Sequence, residues 1–285
     1  SARNYVEYHR KAYRNLLEWQ RELLMGNRQL KHIHILRGDW GEATLNLTKR
    51  YGEIFAVLNM ANAYNPGGGY EYGAGAQEEN MFRRTDCHFY IDRREQLVLN
   101  ATRDKYVYNQ TFIDLINGED GSNIYLDTNY PRVCIRGREL LSSEAGGQEG
   151  MGYELLSDDD IFMFYEMRSA AANLKGRGLT QEEKITTTES ENRRRITAQI
   201  ETLKRQNVRH VVLSAFGCGA FENDPTTIAQ MYVEVISQNI EHFDVIAFAI
   251  YTPYGSDNYT PFLNTFRQSV LNDFIVANTS CAVRL

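Results

Sequence analysis

The feature that most constrains this chain is a series of short apolar runs separated by helical patterns. His32–Leu36, Ile54–Met60, Asn123–Leu126, Arg132–Ile135, Ile161–Tyr165, His210–Ala215 and Val245–Ile250 have the length and composition of buried strands. Between them, Thr44–Tyr51, Gln77–Arg84, Glu189–Gln206 and Thr226–Ile236 read as helices, the last opened by a cap and proline at Asp224-Pro225. Strands alternating with helices require a mainly parallel or mixed sheet covered on both faces. Residues 4–26 precede this pattern and read as an amphipathic helix, with Val6, Tyr13, Leu16, Leu17, Leu23 and Leu24 near one face. Leu141–Asp160 and Asn173–Ser190 are polar and irregular, and read as inserted surface loops because strand-like runs resume beyond each. The expected division is a helical extension at 1–30, one domain at 31–270 and a tail at 271–285, mobile over Ala277–Leu285.

Bulk properties exclude several classes. The formal net charge of −6 gives no whole-molecule field favouring nucleic acid, so no nucleic-acid partner is expected. No run of about 18 apolar residues exists to span a membrane. No signal peptide is visible, and the opening Ser1-Ala2 lacks a methionine, so the chain reads as truncated or processed and its targeting is unreadable. Cys87, Cys134, Cys218 and Cys281 are scattered singly, with no zinc-type spacing, which makes a reducing cytoplasm the default compartment.

In an open α/β sheet, ligands bind where strand ends turn into helices. Two such loops are glycine-rich. Asn59-Met60-Ala61-Asn62-Ala63-Tyr64-Asn65-Pro66-Gly67-Gly68-Gly69 leads on to Gln77-Glu78-Glu79, and Phe216-Gly217-Cys218-Gly219-Ala220-Phe221-Glu222-Asn223 follows the strand His210–Ala215. Glycines let backbone N–H groups approach a phosphate, although they also make ordinary tight turns. Neither loop has the Lys-Ser/Thr ending of a P-loop or the spacing of a dinucleotide fingerprint. Glu78 and Glu79 add a carboxylate pair whose proton affinities burial and repulsion can drive apart, leaving one as a general acid of the kind glycosidic cleavage needs. Acids in a first helical turn also simply complement the helix dipole.

The spacing of Gly67-Gly68-Gly69 from Gln77-Glu78-Glu79 resembles the signature of the bacterial-type poly(ADP-ribose) glycohydrolases. Asn59-Met60-Ala61-Asn62, Asn80-Met81-Phe82-Arg83-Arg84-Thr85 and Leu213–Asn223 are similar to further runs of that family. The likeness covers roughly residues 30–265. It implies a macrodomain-like α/β/α sandwich with a mixed central sheet, an N-terminal helical extension and inserted loops.

The same resemblance implies cleavage of a glycosidic bond of ADP-ribose, in poly(ADP-ribose) or an ADP-ribosylated protein, without metal or cofactor. Glu79 matches the catalytic acid and base, and Glu78 would bond ribose hydroxyls and hold Glu79. Asn62 matches the asparagine orienting the distal ribose, while Gly67, Gly68 and Gly69 would wrap that ribose and the diphosphate. Gly217, Cys218, Gly219 and Ala220 would offer backbone donors to the diphosphate, with Phe221 on the ribose. Asp39 resembles the aspartate that reads the adenine amino group. Asn59, Asn65 and Gln77 complete the expected ligand-binding set. Glu222 departs from the pattern, standing where a glycine or small residue is expected. The polar insertions fit a protein substrate as well as a polymer. A reader that binds ADP-ribose without cleaving it, or a hydrolase of another linkage such as ADP-ribosyl-arginine, remain the alternatives.

Other runs invite a reading and resist it. Gly146-Gly147-Gln148-Glu149 and Gln181-Glu182-Glu183 imitate the signature but follow no buried strand, and read as solvated loop. Asp158-Asp159-Asp160 lacks the spaced ligands of a calcium loop. Arg193-Arg194-Arg195 reads as a solvated helix face, and His32, His34 and His210 as structural. Tyr251 and Tyr254 are placed to line an adenine pocket or to pack at its rim.

Overall fold

The computed structural model describes residues 2–23, 32–140, 152–252 and 257–276. Its centre is a six-stranded sheet in the order β1 (His32–Arg37), β10 (Val245–Ile250), β9 (His210–Leu213), β2 (Ala56–Met60), β8 (Phe162–Ser169) and β5 (Tyr125–Cys134). All neighbours run parallel except β5, which is antiparallel to β8. Successive residues of the central strands enter opposite cores. Ile246, Phe248 and Ile250 pack with α5 (Gln181–Arg205), α6 (Pro225–Ser237) and α7 (Tyr259–Arg267). Val245, Ala247 and Ala249 face the side of α2 (Trp40–Tyr51) and α3 (Gln77–Arg84). Helices therefore cover both faces, the arrangement that near-continuous apolar strands demand.

The helix expected over residues 4–26 is α1 (Ala2–Leu23), whose Ala12 and Leu16 pack on Val133, Ile135 and Met163. His9 bonds the buried Asp86 at 2.7 Å, tying α1 to the segment that follows α3. Leu24 lies outside the described residues, as do Gly146-Gly147-Gln148-Glu149, Tyr254, Ala277–Leu285 and Cys281.

Three expectations need correction. Asn123–Leu126 and Arg132–Ile135 are not two strands but parts of one, β5, with a register shift between Asp127 and Arg132. Asp127 Oδ1 accepts the N–H groups of Asn129 and Tyr130, a local turn that imitates a loop inside the strand. Asn173–Ser190 is not wholly irregular, because α5 starts at Gln181 on a capping box formed by Thr180 and Glu183. Gln181-Glu182-Glu183 is thus a helix start rather than a loop. Leu141–Asp160 is likewise not wholly irregular: it contains β7 (Gly152–Leu155), which pairs antiparallel with β6 (Arg136–Leu140), and ends in a 3₁₀ turn at Asp158–Asp160.

The hairpin of β3 (Leu97–Asn100) and β4 (Lys105–Tyr108) and the short helix α4 (Gln110–Ile116) are additions that periodicity alone does not disclose.

Candidate active site

The glycine loop is shaped by side chains of α3. Gln77 clamps the end of β2: its Nε2 donates to Leu58 O at 2.8 Å, and its Oε1 accepts Met60 N–H at 2.9 Å. That pair places Glu78 and Glu79 directly beneath the loop. Glu78 is almost wholly buried, and its two oxygens accept the backbone N–H groups of Asn62 at 2.7 Å and Gly67 at 3.0 Å. Burial pushes the Glu78 carboxyl well above the usual carboxylate range; the Asn62 N–H opposes this and neighbouring Glu79 adds to it. Glu79 Oε1 accepts the Gly69 N–H at 3.0 Å, while its buried Oε2 meets no hydrogen-bond partner among the described residues.

The loop itself carries its own constraints. Asn62 Oδ1 accepts from the N–H groups of Tyr64 and Asn65 and from Asn65 Nδ2, fixing the turn that leads to Gly67. Gly67 and Gly68 have φ of 74° and 58°, in the left-handed region. The amides of the triple glycine are engaged within the protein itself. Gly67 N–H goes to Glu78, Gly68 N–H to Asn65 O, and Gly69 N–H to Glu79.

The second loop supplies donors instead. Gly217, with φ of 72°, is pressed so close that an added Cβ would lie 2.4 Å from Ala171 Cβ. Cys218 turns inward: its N–H donates to Ala215 O, its thiol is buried, and burial raises its proton affinity. It therefore does not present the donor expected of it. The N–H groups of Gly219 and Ala220 meet no acceptor among the described residues, and both residues line the cavity with Phe221. Glu222 has φ of 61°, the conformation that makes glycine natural at this position, and its carboxylate pairs with Lys184 at 2.6 Å.

The two loops enclose a cleft of about 430 Å³ at the carboxyl ends of β2 and β9. Glu78, Glu79 and Asn62 lie on its wall, as do Gly217 and Gln77. Asn65, Gly67, Gly68 and Gly69 stand behind Glu78 and Glu79 rather than on the cleft surface. Asp39, Trp40, Asn80 and Tyr251 also line the cleft. Asp39 caps α2 through the N–H groups of Gly41 and Glu42 and pairs with buried Arg84 at 2.8 Å. Arg84 donates in turn to Asn80 Oδ1, which also accepts Trp40 Nε1–H. The Arg84 guanidinium stacks 4.7 Å from the Trp40 ring. Trp40, Asn80 and Arg84 were not foreseen, because what joins them to Asp39 is the packing of α3 on α2.

Asn59 lies beneath the cleft, not in it. It is fully buried and donates to Glu166 Oε1 at 2.9 Å. Glu166 also accepts from Arg168 Nε at 2.7 Å and Arg132 Nε at 3.0 Å, and all three are fully buried. Burial alone would raise the Glu166 carboxyl, but the guanidiniums of Arg168 and then Arg132 overcome it and hold it at about 2. Two charges at alternate positions of an apolar strand, Glu166 and Arg168, were the available signal.

The remaining basic and titratable runs serve structure. Arg193 pairs with Glu189 and Glu234, Arg194 with Glu119, and Arg195 donates to Asn117 and Ala170 O. His32 and His34 both bond the Tyr51 hydroxyl. Among the described residues, no group of three or more His, Cys, Asp or Glu is placed to hold a metal ion, and no helix is long and apolar enough to cross a membrane.

Fold and site together define a macrodomain-like α/β/α protein with a carboxylate-bearing cleft. Residues 2–113 match the family model of the microbial-type poly(ADP-ribose) glycohydrolase catalytic domain, a stretch that contains the triple glycine and α3. Two similar solved structures are poly(ADP-ribose) glycohydrolases. The Thermomonospora curvata protein bound to the inhibitor ADP-HPD is 22% identical, with 82% of this chain and 79% of that chain covered and a TM-score of 0.55. The Deinococcus radiodurans protein in complex with ADP-ribose is 20% identical, with 82% and 83% covered and a TM-score of 0.54. No curated protein matches the chain. The family match bears out the resemblance read from the sequence over residues 2–113, and the two solved structures share the fold.

Proposed function

We propose that this chain is an ADP-ribosyl glycohydrolase acting on poly(ADP-ribose) or ADP-ribosylated protein, with Glu79 as general acid and base. The observation that carries the reading is the Glu79 carboxylate, anchored through Oε1 on Gly69 N–H and unpartnered at a buried Oε2 in the wall of the cleft. Protonated Glu79 gives its proton to the departing glycosidic oxygen as the anomeric carbon–oxygen bond breaks. The resulting carboxylate stabilises the oxocarbenium-like ribose and then takes a proton from the attacking water, whose oxygen bonds to the anomeric carbon. The products are free ADP-ribose and the hydroxyl or side chain it was attached to, and Glu79 ends protonated as it began.

Glu78 acts one step back. With both oxygens on backbone N–H groups, it shapes the loop that holds Glu79 rather than reaching first for a ribose hydroxyl. The free amides of Gly219 and Ala220 suit the diphosphate, Phe221 the ribose, and the Asp39–Trp40 end the adenine. The similar Deinococcus structure, a complex with ADP-ribose, supports that ligand. Three buried free thiols, Cys87, Cys134 and Cys218, suit a reducing compartment such as the cytoplasm.

The test is release of ADP-ribose from a panel of defined linkages: ribose–ribose in the polymer, ADP-ribosyl-arginine and ADP-ribosyl-glutamate. Release from at least one is expected. Tight ADP-ribose binding with no release from any linkage would make the chain a reader instead.

A further inference from the structure

A second cavity, of about 550 Å³, lies between α1, α3 and the β6–β7 hairpin. Its lining is unlike the surface of this acidic chain: among the described residues it includes Arg83, Arg136, His88 and the phenols of Tyr5, Tyr70 and Tyr153, and no carboxylate. Arg136 Nη1 donates to Arg83 O at 2.7 Å, and Arg136 pairs with no carboxylate among the described residues. Arg83 spans the cavity wall, donating to Tyr70 O at 2.7 Å and bonding the Tyr153 phenol. Tyr5 and His88 meet edge to face, with ring centroids 6.3 Å apart.

Guanidiniums with adjoining aromatic faces are the chemistry that recognises a phosphate ester carrying a base. We propose that this cavity is a second nucleotide site, taking a nucleoside diphosphate group with its phosphates on Arg136 and Arg83 and its base against the tyrosines. Its position has a further meaning. Arg83 follows Glu79 by four residues, about one helical turn along the same face of α3, so one helix contributes to both cavities. The group bound there is either the neighbouring unit of an ADP-ribose polymer or a free nucleotide.

Calorimetric titration with ADP counts the sites. Two ADP molecules per chain are expected, falling to one in Arg136→Ala, and a second event weakened about tenfold in Tyr5→Ala. The Tyr5 variant stands in if the Arg136 variant fails to fold. Should the first cleft not take the nucleotide, the unmodified chain binds one ADP and Arg136→Ala none, which keeps the two readings apart. One ADP in both the unmodified chain and Arg136→Ala, or two in both, would overturn the site. Inorganic pyrophosphate binding there as tightly as ADP would overturn the base recognition. The source is read with a two-unit ADP-ribose oligomer and Glu79→Gln, which blocks turnover. Binding about tenfold tighter than ADP-ribose, lost with Arg136→Ala, assigns the cavity to the polymer. Equal affinities assign it to free nucleotide.

Discussion

Gly68 and Glu79 leave no room for a side chain between them: a Cβ on Gly68 would lie 2.2 Å from Glu79 Oε1. The same glycine has φ of 58°, so a substitution strains the backbone as well. Gly68→Ala is expected to lower turnover by about 100-fold or more through displacement of the carboxylate proposed as acid and base. The cost in stability is expected to be only about 1–2 kcal/mol. Initial rates of ADP-ribose release beside a urea denaturation curve separate the two. Full activity in a folded variant would contradict the close contact.

Glu79→Gln keeps an oxygen for the Gly69 N–H but removes the proton that the mechanism moves. A fall in kcat of about 10²–10⁴ is expected, with ADP-ribose affinity changed less than a few-fold. Single-turnover rates and calorimetry on the same preparation make the comparison. Near-normal kcat would remove Glu79 from the role assigned to it.

Glu78 sets a pH dependence of defined sign. Its native carboxyl stays protonated above the ordinary range, whereas the unfolded chain releases that proton near about 4.3. The folded state thus binds the extra proton, and its stability falls as pH rises from about 4.3 toward the raised native value. Glu78→Gln has no proton to lose, so the difference in unfolding free energy between the two should shift in favour of the variant as pH rises. A difference independent of pH between about 4 and 7 would show that burial does not govern this carboxyl.

Glu166 works in the opposite direction. Held at about 2 by Arg168 and Arg132, it contributes stability above the ordinary carboxylate range that is lost as pH falls toward 2. Glu166→Gln leaves two buried guanidiniums short of their counter-charge and should cost about 3–5 kcal/mol. It should also flatten the acid limb of the stability curve. Denaturant unfolding at neutral pH and again near pH 3 tests both parts, the latter lying roughly between the two carboxyl values.

What was legible in the sequence was local. Gly67–Glu79 carries its meaning in one continuous stretch, and the alternation of apolar runs with helical patterns was enough to place a covered sheet around it. Charge pairing across the fold was not legible. Arg84 meets Asp39 across 45 positions, and Arg132 meets Glu166 across 34, neither with a spacing that reports the partner. Asn59 shows the limit from the other side. It belongs to the same run as Asn62, yet strand alternation turns it down to Glu166 while Asn62 remains at the cleft. In β5, an aspartate turn inside a strand presents the same residues as a loop between two strands, and only the pairing partner β8 distinguishes them.

The bonds from Asn62 and Gly67 to Glu78, and from Gly69 to Glu79, mean that the loop is a small receptor for carboxyl oxygens, already filled by its own helix. The unit that could be moved to another scaffold is therefore not the glycine run but the whole length from Asn62 to Glu79. Transplanted without α3, the same glycines would keep their freedom and lose their shape.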